Sequence, residues 1–229
     1  MPKALVTGVS SGIGSAIALS LLGAGYQVTG LSRRKPDYAD EFAENFLWVP
    51  ADLGDIRAVA QLALKLEPPE VFIHAAGFMS TGALGEMESA SLAEMFAVHV
   101  QAPAELVNVF ARSFPDGARV ILIGSRTMSG VAGKSQYSAT KSALAGLSRS
   151  WAMELAGRGI TCNVVAPGPT DTPMMIDPRR RGVPPVTPPL GSLVDPHDVA
   201  ALVRFLIGEH GKSITGQVLT ICGGASLKS

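Results

Sequence analysis

The stretch TGVSSGIG, residues 7–14, follows the short apolar run ALV (4–6) and opens the helical pattern IGSAIALSLLGAG (13–25). A strand that passes through a glycine loop straight into a helix has few uses. Gly8 permits a tight turn, while Gly12 and Gly14 let the backbone approach a ligand and let the helix pack on the strand. Free N–H groups at such a helix start favour an anion such as a pyrophosphate. The spacing is G-x-x-x-G-x-G rather than the G-x-G-x-x-G of the standard dinucleotide fingerprint. A turn with a purely structural role satisfies it as well, so the rest of the chain has to decide.

The same alternation continues outward from this unit. Apolar runs occur at 4–6, 27–31, 46–50, 71–74, 119–124, 161–166 and 217–222. Most are continuous rather than alternating, as strands covered on both faces require. Helical patterns occur at 13–25, 55–66, 91–110, 135–157 and 195–208, with Pro103 expected to kink the third. Strand–helix alternation of this kind predicts a doubly wound, Rossmann-like α/β fold with a parallel sheet. No linker divides the chain, so residues 1–229 form one expected domain. The proline-rich stretch 173–196 reads as a long excursion from the sheet, a candidate substrate lid.

Composition narrows the function classes. Of 229 residues, 47% are apolar and 17% charged, which excludes a disordered chain. Lys plus Arg balances Asp plus Glu at 19 each, so no global field draws nucleic acid or an anionic membrane. Every apolar run is interrupted before roughly 18 residues, so no membrane span is expected. The first residues lack a secretory h-region and cleavage site. Cys162 and Cys222 form no CxxC and read as buried, reduced thiols in a cytoplasmic protein. No metal site is expected.

Two further stretches carry chemistry. LSRRK (31–35) follows the second strand, where NAD-binding folds often place an acid for the ribose 2′-hydroxyl. Ser32 and Arg33 stand there instead, and a hydroxyl with a guanidinium suits a 2′-phosphate, so NADP is favoured over NAD. A solvated basic turn is the alternative. QYSATK (136–141) sets Tyr137 and Lys141 one helical turn apart on one face. Either they are two ordinary surface side chains, or the phenol is tuned for proton transfer.

TGVSSGIG, YSATK, CNVVAPGPTDTPM (162–174) and ITGQVLTICGG (214–224), in this order, resemble the short-chain dehydrogenase/reductase family over residues 7–224. The resemblance implies an NAD(P)-dependent oxidoreductase acting on an alcohol or carbonyl. Tyr137 would be its general acid/base. Lys141 would lower the pKa of Tyr137 and hold the nicotinamide ribose, and Ser125 would orient the substrate oxygen. The cofactor would also contact Gly8, Ser10, Ser11, Gly12, Ile13 and Gly14. Further along the groove it would meet Ser32 and Arg33, then Asp52 and Leu53 at the adenine. Ala76 and Gly77 would lie along the adenosine side, and Pro167, Gly168, Thr170 and Thr172 would line the nicotinamide. For Asp52 the alternative is a helix cap, a role for which Asp55 is better placed. Family members also pair their longer helices, which implies a homodimer or homotetramer.

Four departures stand out. His74-Ala75-Ala76-Gly77 replaces the family's Asn-Asn-Ala-Gly, and His74 reads as a neutral structural histidine. His99 stands where the family has an Asn that bends a helix and holds a proton-relaying water. A histidine there either relays protons and titrates near neutral pH, or marks loss of that element. The interval from Ser125 to Tyr137 is one residue short, which a trimmed loop near 130–133 explains; a part for Ser129 is the alternative. Ser11 replaces the basic residue that NADP-preferring members often carry before the second loop glycine. Phe78, Met79, Thr127 and Met128 are expected to wall the substrate cavity. The run Arg179, Arg180 and Arg181 either contacts a substrate anion or is a solvated loop. The alternatives to hydride transfer are a cofactor-sensing binding protein and another chemistry on the same cofactor, such as epimerisation or dehydration.

Overall fold

Seven strands form in the computed structural model, which describes residues 1–180, 183 and 186–227. They are β1 (Lys3–Thr7), β2 (Gln27–Ser32), β3 (Phe46–Pro50), β4 (Val71–His74), β5 (Arg119–Ile123), β6 (Thr161–Pro167) and β7 (Val218–Ile221). All pair in parallel, in the order β3-β2-β1-β4-β5-β6-β7. The helices between them are α1 (Gly12–Leu22), α2 (Ile56–Ala63), α3 (Ser89–Phe96), α4 (Ala102–Phe110), α5 (Ser135–Leu155) and α6 (Pro196–Ile207). The expected Rossmann-like architecture is therefore present.

The continuous apolar runs have a simple cause, because successive side chains enter different cores. Leu5, Phe72, Val120, Leu122 and Val164 face α2, α4 and α5. Ala4, Val6, Ile73, Ile121, Ile123 and Val165 face α1 and α6. Each large side chain buried this way contributes about 1.5–3 kcal/mol. Among the described residues, no helix is long and apolar enough to cross a membrane.

Three details position the functional groups. First, the pattern at 91–110 is not one kinked helix. α3 passes through a π-helical turn, Ala97–Gln101, into α4, and Pro103 lies in the first turn of α4. Lacking an N–H, Pro103 makes no bond to the carbonyl four residues back, that of His99, and the helical register widens there. Second, Asp55 caps α2 by accepting from the Ala58 N–H at 3.0 Å. Third, the excursion between β6 and α6 is closed at its neck. Thr170 and Val194 form an isolated bridge, and Val194 N–H donates to Pro169 O at 2.8 Å. Arg181, Pro184 and Pro185 of this excursion lie outside the described residues.

The first loop owes its shape to backbone contact. A Cβ on Gly14 would lie 2.3 Å from the Gly8 carbonyl oxygen, so only glycine lets α1 close on the end of β1. Gly14→Ala should cost about 1–3 kcal/mol, the usual range for overpacking. Denaturant unfolding without added cofactor measures this, and an unchanged midpoint would contradict the packing described.

Candidate active site

β1 pairs with β2 on one side and β4 on the other, so the chain leaves the sheet centre in opposite directions. Open α/β sheets bind ligands at this switch point, beyond the carboxyl ends of the strands. A cavity of about 830 Å³ lies there. Every residue assigned above to the cofactor lines it. Gly8, at φ +76, lies flat against the loop after β4, where a Cβ would come within 2.8 Å of Ala76 N and Cα. Gly12, at φ +58, faces Thr172, whose Cγ2 would be 3.1 Å from a Cβ. The glycines thus leave backbone exposed between Ser10, Ser11 and Ile13, a surface that fits a diphosphate.

At the far end of the groove Arg33 and Arg34 are exposed, line the cavity and have no carboxylate partner among the described residues. Arg34 was not assigned above, although it stands in the same LSRRK stretch. Ser32 differs from its assignment. Its hydroxyl donates to Arg34 O at 2.7 Å and accepts from Trp48 Nε1 at 3.1 Å. It braces the basic turn and has no proton left for a phosphate, so the arginines alone present donors. Asp52 Oδ1 accepts from Gly54 N–H at 2.9 Å.

A buried clasp joins the ends of β1 and β4. Thr7 Oγ1 accepts from the N–H groups of Ala75 and Ala76, both at 3.1 Å, and therefore donates to His74 Nδ1 at 2.9 Å. This assigns the His74 proton to Nε2. Burial, reinforced by the Lys141 charge, pushes the His74 pKa down to about 3, so the ring is neutral as expected.

Tyr137 and Lys141 are both buried on α5. Burial pushes the Tyr137 phenol up to about 12, while the Ser125 hydroxyl and the Arg180 charge pull the other way. Burial brings Lys141 down to about 7, and its Nζ donates to Ile123 O at 2.8 Å. Arg180, which the sequence did not single out for this role, thus adds a charge that favours the phenolate. Ser125 Oγ accepts from Thr127 N–H at 3.2 Å and from Thr127 Oγ1 at 2.9 Å. Its own proton is left for the Tyr137 side of the cavity, where the Ser125 hydroxyl lowers the phenol pKa. This role of Thr127 has no signature in the sequence.

His99 departs most from expectation. It does not line the cavity. Its ring packs edge-on against Tyr137, with centroids 5.7 Å apart, and stands behind Gly77. Thr140 Oγ1 donates to Tyr137 O at 2.9 Å, so it accepts from His99 Nδ1–H, also at 2.9 Å. His99 Nε2 accepts from Phe78 N–H at 3.2 Å. Both ring nitrogens are engaged, and burial holds the pKa well below the ordinary histidine value. A relay titrating near neutral pH is therefore not present. The π-helical turn places the ring; Pro103 marks the disturbed helix in the sequence, but not the partners the ring finds.

The cavity walls also differ in part. Phe78, Met79 and Thr127 line it, but Met128 packs into the core under Gly124. Ser129 is exposed and does not line it; the short interval is accommodated by a 3-10 turn at Arg126–Ser129. Arg179 and Arg180 both line the cavity, but Arg180 is buried whereas Arg179 stays exposed. Arg181 lies outside the described residues.

A titration follows from Lys141. Its folded pKa, about 7, is below the ordinary lysine value of 10.5. Between those values the unfolded chain binds more protons, so stability should rise with pH from about 7 upward. The buried thiol of Cys162 is raised from 9.0 to about 12, which acts oppositely above pH 9. Comparing wild type with Lys141→Met between pH 7 and 9 isolates the lysine. The variant should lose the upward slope, and identical slopes would contradict the burial described.

A family model described as enoyl-(acyl carrier protein) reductase matches residues 8–226. The chain is 33% identical over 242 residues to 2,3-dihydro-2,3-dihydroxybenzoate dehydrogenase of Escherichia coli, covering 97% of this chain and 96% of that one. It is 32% identical over 231 residues to the cyclic-di-GMP-binding biofilm dispersal mediator protein of the same organism, covering 96% and 94%. The crystal structure of BdcA in complex with NADPH superposes with a TM-score of 0.87 at 31% identity, covering 97% of this chain and 93% of that one. With the parallel sheet, the glycine cradle and the Ser125–Tyr137–Lys141 site in one cavity, these matches establish that the chain belongs to the short-chain dehydrogenase/reductase family of NAD(P)-dependent oxidoreductases.

Proposed function

We propose that this protein moves a hydride between NADP(H) and a small or medium alcohol or carbonyl substrate. One observation carries the reading. Tyr137, Ser125 and Lys141 share a single cavity with a glycine cradle whose far end carries two unpaired arginines. The similarity to a dehydrogenase and to an NADPH-bound structure supports it. The cofactor supplies or accepts the hydride, and the protein positions it. Tyr137 passes the proton to or from the substrate oxygen. Ser125, held by Thr127, donates a hydrogen bond to that oxygen. Lys141 holds the nicotinamide ribose. Gly8 to Gly14 hold the diphosphate, and Arg33 with Arg34 hold a 2′-phosphate. His99 acts by position, fixing Phe78 and Thr140 around Tyr137. The reduced thiols of Cys162 and Cys222 fit a cytoplasmic setting, and a homodimer or homotetramer is the expected assembly.

A second reading is a cofactor-bearing binding protein. The printed name of one relative, a cyclic-di-GMP-binding mediator, favours it, as does the missing titratable relay at His99.

Steady-state assays with NADPH and NADH against aldehydes, ketones and keto acids separate the two. Turnover supports the first reading, and tight NADPH binding with no turnover supports the second. Tyr137→Phe should lower kcat about 100- to 10,000-fold, the range for loss of a general acid. Its NADPH affinity should be retained, and normal turnover would remove Tyr137 as proton donor. Replacing Arg33 and Arg34 together by Ala should raise the Kd for NADPH far more than for NADH. Equal losses would remove the 2′-phosphate assignment.

A further inference from the structure

Beyond the groups already assigned, the substrate end of the cavity is lined by Arg126, Lys134, Arg179 and Arg180, with Glu94 and Asp177 as the acids. Asp177 is committed to Arg179, accepting from its backbone N–H at 2.9 Å and from its guanidinium. Arg179 also lies over the Phe78 ring, 4.4 Å from its centroid. That pair cancels its own charge. Arg180 feels the charge of Asp177 but forms no ion pair with it among the described residues, and Lys134 has no acidic partner among them. Arg180 is 7% exposed, and its Nη atoms reach only Met175 Sδ and the Val183 carbonyl. Its Nε is buried with no hydrogen-bond partner. Lys134 is 8% exposed and its ammonium makes no hydrogen bond or ion pair among the described residues. Burial and the charges of Arg180 and Arg126 push the Lys134 pKa down.

Two buried cations that repel each other are costly unless an anion joins them. Their placement is built, not incidental. Thr81, in the loop after β4, donates its N–H to Arg179 O at 3.1 Å and its hydroxyl to Arg180 O. This ties the backbone of Arg179 and Arg180 to the loop after β4. Lys134 immediately precedes α5, three residues before Tyr137, and both line the cavity.

We infer that Arg180 and Lys134 form an oxyanion-binding subsite beside Tyr137, so that the substrate is a carbonyl or alcohol bearing a carboxylate or phosphate. A guanidinium and an ammonium lining the same cavity would hold two oxygens of such a group. The anion would neutralise the pair and seat the reacting carbon at a fixed reach from the phenol. This inference rests on the reading of the cavity as a hydride-transfer site, and its test separates the two.

Two matched pairs of probes are assayed with NADPH: benzoylformate against its methyl ester, and dihydroxyacetone phosphate against dihydroxyacetone. The charged member of at least one pair should have the higher kcat/KM, and which pair responds identifies the oxyanion. In Arg180→Met and Lys134→Met the charged-to-neutral ratio should fall about 10- to 100-fold, as loss of a charge-assisted bond implies. General misfolding would lower both members together and leave the ratio intact, so an unchanged ratio in both variants overturns the subsite. A neutral probe preferred by the wild type overturns it as well, while leaving hydride transfer standing. If no probe turns over, calorimetric binding of benzoate and inorganic phosphate to the NADPH-loaded protein decides. Binding that both variants weaken supports the subsite although hydride transfer fails, and no binding to the wild type overturns it.

Discussion

The site depends on the clasp between Thr7, His74 and the backbone of Ala75 and Ala76. Four polar groups are buried where β1 and β4 part, and each has to be satisfied for the crevice to open there. One hydroxyl does most of this, accepting two N–H groups and donating to His74 Nδ1. It presses the loop after β4 against Gly8, and the diphosphate cradle and Gly77 follow from that contact. The chain places an imidazole here, and burial with the nearby lysine favours its uncharged form.

The same desolvation sets the chemistry of the cavity. It raises the phenol of Tyr137 and lowers the ammonium of Lys141, so each group is drawn toward its neutral form. Charge therefore has to be brought to the phenol by a group held close. Arg180, carried on the lid and tied down by Thr81, is such a group. The excursion between β6 and α6 and Tyr137 are thus linked by the Arg180 charge as well as by the packing of Met174 against Met79, Met95 and Tyr137.

Much of this was legible in the sequence. The parallel sheet could be read because strands covered on both faces lose their alternation, and the glycine cradle because only glycine fits there. Asp55 was recognised as a cap from its place before a helix. Other features depend on contacts that no local pattern encodes. Ser32 was read as a phosphate ligand, yet Trp48, sixteen residues away, and Arg34 engage its hydroxyl. His99 could be read as a titrating relay or as loss of that element, and the π-helical turn puts both ring nitrogens on fixed partners. Arg180 stands in a run of three arginines that reads as solvated, and only the fold of the proline-rich excursion buries it. Lys134 gave no signal at all.

The central claim is that this cavity transfers a hydride to a substrate carbon next to Tyr137. The most direct measurement uses NADPH deuterated at the transferring position of its nicotinamide, with mass analysis of the product alcohol from a ketone that turns over. The account predicts one deuterium on the carbinol carbon, delivered to a single face. Cofactor bound tightly with no labelled alcohol formed from any ketone, or alcohol formed without the label, would contradict it.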